Sequence, residues 1–192
     1  MSNGKDDNMI YYISDLHIGH KSAIRFDERP FADIDEMERE IIRRWNEKVT
    51  SDDDVYILGD VFYRYKGKQA DFLRKLRGRL HLITGNHDKG LLKDEEALSC
   101  FADVDNLRMI TDNGRQVVMC HFPIISWNMK HYGSYHVYGH IHKIIGEEGR
   151  FMINQDRAFN AGCMINGYVP CTLEELEQNN RIFRDSVSVK EV

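Results

Sequence analysis

A chain of 192 residues can bury one substantial core, and 42% apolar with 30% charged side chains is ordinary for a soluble globular protein. The net charge of −5 excludes a global field that would draw it to nucleic acid or anionic membrane, though not a local basic cleft. No apolar stretch approaches the ~20 residues that span a bilayer, and the opening MSNGKDDNM lacks the apolar run of a secretory signal.

A single cytoplasmic domain over residues 1–192, without a membrane partner, is therefore expected. Cys100, Cys120, Cys163 and Cys171 form no C-x-x-C pair, which argues against a zinc ribbon or redox motif. Cys120 and Cys163 lie in apolar runs and read as buried reduced thiols.

Taken in chain order, a strand is expected near 9–14, followed by a loop carrying His17, His20 and Arg25. Ile34, Met37, Ile41, Trp45 and Val49 recur at helical spacing, which predicts a helix over 33–49 with Asp33 as its N-cap. Asp52-Asp53-Asp54 marks a turn into a strand at 55–58. A helix over 68–77 places Phe72, Leu73 and Leu76 on one face. A strand at 80–84 and a short acidic helix near 90–98 follow. Phe101, Leu107 and Met109 read as core.

Later strands are expected near 107–111, 116–120, 135–138, 150–154 and 159–163. Thr172-Leu173-Glu174-Glu175 reads as a capping box opening a short helix, and the tail RIFRDSVSV alternates like an edge strand. Helices alternate with strands early and strands dominate later, which favours a layered α/β sandwich over a simple doubly wound sheet.

Five apolar runs each end in residues suited to hold a metal. MIYYIS leads into Asp15-Leu16-His17, VYILG into Asp60, LHLITG into Asn86-His87-Asp88, VVMC into His121, and HVYG into His140-Ile141-His142. Ligands in α/β sheets bind at the carboxyl ends of strands, where loops can carry polar groups while the strands stay buried. Carboxylate, amide-oxygen and imidazole ligands together suit borderline divalent cations such as Mn, Fe, Co, Ni and Zn. His140 and His142 would share a face on a regular strand, unless a turn sends them to different metals. Gly59, Gly85 and Gly139 directly precede three of these endings, where glycine lets backbone approach an ion closely.

Together, Asp15-x-His17, Gly59-Asp60, Gly85-Asn86-His87-Asp88, His121 and Gly139-His140-x-His142 resemble the full motif set of the calcineurin-like metallophosphoesterase superfamily. Ser14-Asp15-Leu16-His17-x-Gly19-His20, Ile24-Arg25-Phe26-x-x-Arg29-Pro30-Phe31, Asn160-Ala161-Gly162 and Tyr168-x-Pro170-x-Thr172-Leu173-Glu174-Glu175 further resemble its small bacterial and phage branch. The resemblance implies a four-layer α/β/β/α sandwich of two mixed β-sheets flanked by helices. It implies two divalent ions, with Mn²⁺ favoured over Fe, Zn, Ni or Co. Asp15, His17, Asp60 and His142 would hold one, and Asp60, Asn86, His121 and His140 the other. His87 would be the catalytic histidine, and Asp88 would orient it or its loop. The implied reaction is attack on a phosphoester by a hydroxide bridging two metals about 3.5–4 Å apart.

His20 stands three residues beyond His17, either on substrate phosphate or on a neighbouring ligand. Arg25 and Arg29 offer forked donors for phosphate, and Asn86 touches both metal and substrate in this reading. Tyr63, Arg64, Tyr65 and Lys66 form either a stacking platform or a plain solvated loop. His81, His131 and His136 read as structural or rim residues, while Trp127 and Asn128 are candidates to line the cleft.

A small phosphodiester or nucleotide-type substrate is preferred. A phosphomonoesterase or a nuclease is the alternative, although the acidic balance gives a nuclease no support. A catalytically retired scaffold would have lost ligands, and here each expected position is filled. Val61-Phe62-Tyr63-Arg64 and the terminal Asp88 depart from the protein Ser/Thr phosphatase pattern.

Overall fold

The computed structural model describes residues 8–143 and 146–188. Its first sheet is built from β1 (Ile10–Ile13), β2 (Asp54–Ile57), β3 (Arg79–Ile83) and β4 (Phe101–Asp105), in that spatial order and parallel throughout. The crossovers carry α1 (Lys21–Phe26), α2 (Ile34–Lys48), α3 (Gln69–Leu73) and α4 (Glu95–Leu98). The second sheet holds β5 (Leu107–Asp112), β6 (Arg115–Cys120), β7 (Tyr135–Tyr138) and β8 (Ala158–Asn160). There β5 and β6 form an antiparallel hairpin around Asn113-Gly114, both at positive φ as a tight two-residue turn requires. The pairs β6–β7 and β7–β8 are parallel.

Alternation along the strands sorts the side chains into layers. Tyr12, Tyr56, Leu58 and Ile83 meet Val117, Met119, Val137 and Phe159 in a core between the two sheets. Their sequence neighbours Tyr11, Ile13, Val55, Ile57, Leu80 and Leu82 face outwards onto Met37, Ile41 and Trp45 of α2. Strands covered on both faces read as continuous apolar runs, which is why the runs were so visible. On the far side, Val118, Tyr138 and Ala158 pack against Trp127 and against Met152 of α5 (Glu147–Ile153). The order of layers is helix, sheet, sheet, helix.

Helix α2 begins as expected, with the Asp33 carboxylate accepting from Glu36 N at 2.8 Å. Helix α3 stops at Leu73, yet Leu76 beyond it is still buried. The acidic helix divides into a 3₁₀ turn, Leu91–Lys93, and α4, where Asp94 caps Ala97 N at 3.0 Å.

Three expectations are corrected. Residues 150–154 lie in α5 and just beyond it, not in a strand: Gly149 and Met152 are buried while Arg150 and Phe151 are exposed, a helical and not a twofold rhythm. The tail through Ser188 continues α6 (Leu173–Ser188) instead of forming an edge strand, and Val189 lies outside the described residues. Its alternation was coincidental. The side chain of Asn180 on α6 accepts from Asn160 N and donates to Asn160 O, so this helix, not another strand, meets β8. Leu107 is 52% exposed and not core, because it opens β5 at the sheet end. The capping box itself is present, with Thr172 N donating to Glu175 at 2.8 Å and Glu175 N to Thr172 at 3.3 Å.

One connection matters for the site. Beyond β8 the chain crosses to the free edge of β1, where Ser14 N donates to Ala161 O and Cys163 N to Ser14 O. The carboxyl ends of the two sheets are thereby stitched together at Ser14 and Asp15.

Candidate metal centre

Parallel strands bring their carboxyl ends to one sheet edge, so the segments after β1, β2 and β3 converge, as do those after β6 and β7. Tight turns there aim side chains back across the strand ends. Asp15, His17, Asp60, His140 and His142 all stand at φ between 50° and 72°, a region that non-glycine residues avoid. Each such residue costs about 1–3 kcal/mol and persists where its surroundings over-determine it. Among the described residues, five of the ten non-glycine residues at positive φ are thus candidate ligands.

The glycines serve close approach. A Cβ on Gly59 would stand 2.6 Å from Gly85 Cα, and one on Gly139 would stand 2.7 Å from an Asp15 carboxylate oxygen.

The turns assemble two groups, Asp15–His17–His142 and Asp60–His121–His140, each with ligand atoms within 4.8 Å of one another. Asp60 links them, since its Oδ2 is 3.6 Å from both His17 Nε2 and His121 Nε2. Asn86 Oδ1 lies 3.1 Å from His121 Nε2. His17 Nε2 and His142 Nε2 face each other at 3.1 Å.

These contacts are what a cation site needs. His121 Nδ1 donates to Leu58 O at 2.8 Å, and His142 Nδ1 donates to the Asp27 carboxylate at 2.9 Å, which leaves both Nε2 atoms as lone-pair donors. Burial, reinforced by neighbouring His142 and Arg29, pushes His17 down to about 2, so its imidazole is neutral. Imidazole nitrogens, carboxylates and an amide oxygen with lone pairs converging on one space fit divalent cations.

The surrounding residues hold this arrangement. Ser14 Oγ donates to Asp15 at 2.6 Å, and His87 N donates to Asp60 Oδ1 at 2.9 Å. Asp88 is 1% exposed and turned away from the cleft. Its carboxylate accepts from Asp60 N, Val61 N and Gly85 N at 2.8–2.9 Å, stapling the loops after β2 and β3 together. Of its two expected roles it meets the loop-orienting one, and it is not placed to act on substrate.

His87 is different. Its side chain is 40% exposed, and its Nε2 stands 3.9 Å from Asp60 Oδ2, outside both ligand groups. His20 stacks on Tyr63 with centroids 3.9 Å apart, and its buried Nδ1 has no hydrogen-bond partner among the described residues. Tyr63 also meets the His87 ring at 5.1 Å, so it packs between the two candidate histidines. Tyr65 packs on Phe62 instead, and Lys66 is exposed.

The structure separates the two arginines. Arg25 is exposed on α1. Arg29 is 4% exposed, and its guanidinium donates to Asp27, Asp15 O and Leu16 O. Arg29 is corrected from a substrate contact to a strut behind the site, because its donors are spent on protein acceptors.

The partner of Arg29, Asp27, escaped the sequence reading. It sits in the loop after α1, and its only signal was the Asp-x-Arg spacing. Trp127 and Asn128 are likewise no cleft walls: Trp127 is buried in the outer core, and Asn128 donates to Met109 Sδ. His81 lies between Asp54 and Asp103, and His136 between Val118 O and Ile124 N, away from the candidate ligand groups. His131 is exposed.

Residues 9–167 match the calcineurin-like phosphoesterase superfamily domain. The chain belongs to that superfamily. Its class of activity is that of a metal-dependent phosphoesterase. An uncharacterized protein of Methanocaldococcus jannaschii is 31% identical over 167 residues, which cover 86% of this chain and 87% of that protein. The Gene 66 protein of Mycobacterium phage D29 is 30% identical over 161 residues, covering 71% of this chain and 79% of that protein. A protein of unknown function from Aquifex aeolicus shares the fold, with a TM-score of 0.69 at 24% identity over 90% of this chain and 99% of that one. Among the described residues, no helix of this phosphoesterase is long and apolar enough to cross a membrane.

Proposed function

We propose that the chain is a dinuclear phosphodiesterase that hydrolyses a small phosphoester with two divalent cations, Mn²⁺ for preference. The observation that carries this reading is the pair of three-residue ligand groups joined through Asp60. Asp15, His17, Asp60 and His142 would hold one cation, and Asp60, Asn86, His121 and His140 the other. When bound, the cations supply Lewis acidity, lowering the pKa of a water and neutralising phosphoryl oxygens.

The chain's own residues supply the rest. Asp60 and Asp15 offset part of the cationic charge, and the neutral Asn86 adds a donor without reducing the surplus that draws a phosphate. His87, half-exposed over the Asp60 carboxylate, donates a proton to the leaving oxygen. His20, stacked on Tyr63 with its ring 5.4 Å from that of His17, stands beside the place a phosphoryl oxygen would take. The phosphate then meets no help from Arg29, whose donors are engaged, and this favours a singly charged diester over a doubly charged monoester.

The test is hydrolysis of bis-p-nitrophenyl phosphate against p-nitrophenyl phosphate, using protein stripped of metal and resupplied with Mn²⁺. Turnover of the diester that vanishes in chelator is expected. Turnover confined to the monoester would replace this reading with a phosphatase.

A further inference from the structure

A second feature of the cleft lies on the His140 side. A cavity of about 510 Å³ opens there, lined by His140, Phe122, Ile125, Phe151, Glu147 and Glu148. Cavities of roughly 300–1,000 Å³ with apolar walls and a few polar groups are where small ligands bind. Phe122, Ile125 and Phe151 are 45%, 65% and 44% exposed, and they gather at this one place. Exposed apolar side chains scattered singly need no explanation, but a cluster beside a reactive centre does.

We propose that this cavity is a subsite for a flat, uncharged aromatic group carried by the phosphoester. The proposal rests on the phosphodiesterase reading and specifies its substrate class. Three observations point to it. Phe122 directly follows His121, and its ring meets the His140 ring at 4.7 Å and the His121 ring at 5.1 Å. The aromatic wall is therefore in fixed register with the candidate ligands, so a group bonded to a phosphate at the cations reaches it.

Phe151 provides the opposing wall from α5, while its neighbour Met152 is anchored in the outer core. Glu147 and Glu148 precede Phe151 by four and three residues, so ring and carboxylates share one face of the helix. Rings favour stacking with another ring. Two carboxylates accept hydrogen bonds from ring N–H groups and repel a further phosphate. The occupant has the chemistry of an aryl group or a nucleobase on a single phosphate, and not of a polynucleotide.

The experiment compares p-nitrophenyl diesters that share a leaving group and differ in the other ester arm: methyl, phenyl, thymidine 5′, and thymidine 5′ bearing a 3′-phosphate. With Mn²⁺-loaded protein, kcat/KM is expected to rise about tenfold from methyl to phenyl and thymidine, equivalent to ~1.4 kcal/mol. It is expected to fall when the 3′-phosphate is added. Phe151→Ala should bring the phenyl-to-methyl ratio to about one, and Phe151→Tyr, which keeps the ring, should restore it.

Equal rates on methyl and phenyl esters in the wild type would overturn the subsite. So would a Phe151→Ala loss of equal factor on both, or faster turnover of the 3′-phosphate ester. Should metal-loaded protein hydrolyse only monoesters, the diester reading fails separately. The subsite then stands or falls on whether phenylphosphonate binds more tightly than methylphosphonate, and on whether Phe151→Ala removes the difference.

Discussion

Asp27 is the residue whose replacement tests most of the architecture behind the candidate metal ligands. It is 3% exposed, with its carboxylate 2.9 Å from His142 Nδ1 on one side and 2.9 Å from Arg29 Nη2 on the other. Burial alone would raise its pKa, but the hydrogen bond from His142 and the charge and hydrogen bonds of Arg29 hold it below the usual range.

In Asp27→Asn the shape survives but one oxygen becomes an NH₂ group. A donor then faces either His142 N–H or Arg29 N–H, and the buried ion pair is gone. Breaking such a pair costs about 3–5 kcal/mol. At ~2–4 °C per kcal/mol for a domain of this size, melting should fall by ~6–20 °C in metal-free protein. Losing the carboxylate behind a ligating histidine typically weakens metal binding about 10–100-fold. Calorimetric melting without metal, together with isothermal titration with Mn²⁺, reads the two effects apart. Lower melting with unchanged Mn²⁺ affinity would refute the orienting role, and no change in either would refute the buried strut altogether.

Other substitutions separate the remaining roles. His87→Ala should lower kcat by about 10²–10⁴-fold with metal content near normal, and loss of metal would make His87 a ligand instead. Asp60→Asn should lose both metals and activity, because one carboxylate serves both ligand groups; elemental analysis of the purified variant reads this directly. Gly59→Ala should disturb both strand-end loops, since the new methyl would meet Gly85 backbone at 2.6 Å and φ is +77°. Reduced Mn²⁺ affinity is the expected readout, and wild-type affinity would count against the close-approach argument.

Burial lowers His136 to about 4, against ~6.5 in the unfolded chain. The unfolded chain therefore takes up this proton first. Stability present above pH ~6.5 is lost as pH falls towards 4, by about 3 kcal/mol from this group. Urea unfolding at both ends of that window should show a smaller loss in His136→Gln than in wild type, the remainder coming from His17, which burial also lowers; equal pH dependence in the two proteins would contradict the assignment.

The ligand pattern was legible because strand order and strand ends leave a mark in sequence. Doubly covered parallel strands must be apolar throughout, so a polar residue at their ends stands out, as Asp15, Asp60 and His121 do. The helix over 34–48 was equally plain, since its burial follows 3.6-residue spacing and Asp33 caps it. What sequence did not show were contacts between distant segments. Arg29 looked like a phosphate ligand because its residue type suits phosphate, and only the structure shows its guanidinium committed to Asp27, Asp15 O and Leu16 O. Asp88 looked like part of the reacting group, yet its acceptors are spent on backbone of its own and the neighbouring loop. The helix at 147–153 and the latter part of the helix at 173–188 were misread where short apolar runs fit both periods, and tertiary packing onto β8 decided between them.

The central claim is that two cations act together across Asp60. Titrating metal-free protein with Mn²⁺ while following both bound metal and hydrolysis of bis-p-nitrophenyl phosphate tests it most directly. Activity that develops only as the second equivalent binds, and disappears in Asp60→Asn, is the predicted result. Full activity with one equivalent, or turnover that persists in excess chelator, would contradict it.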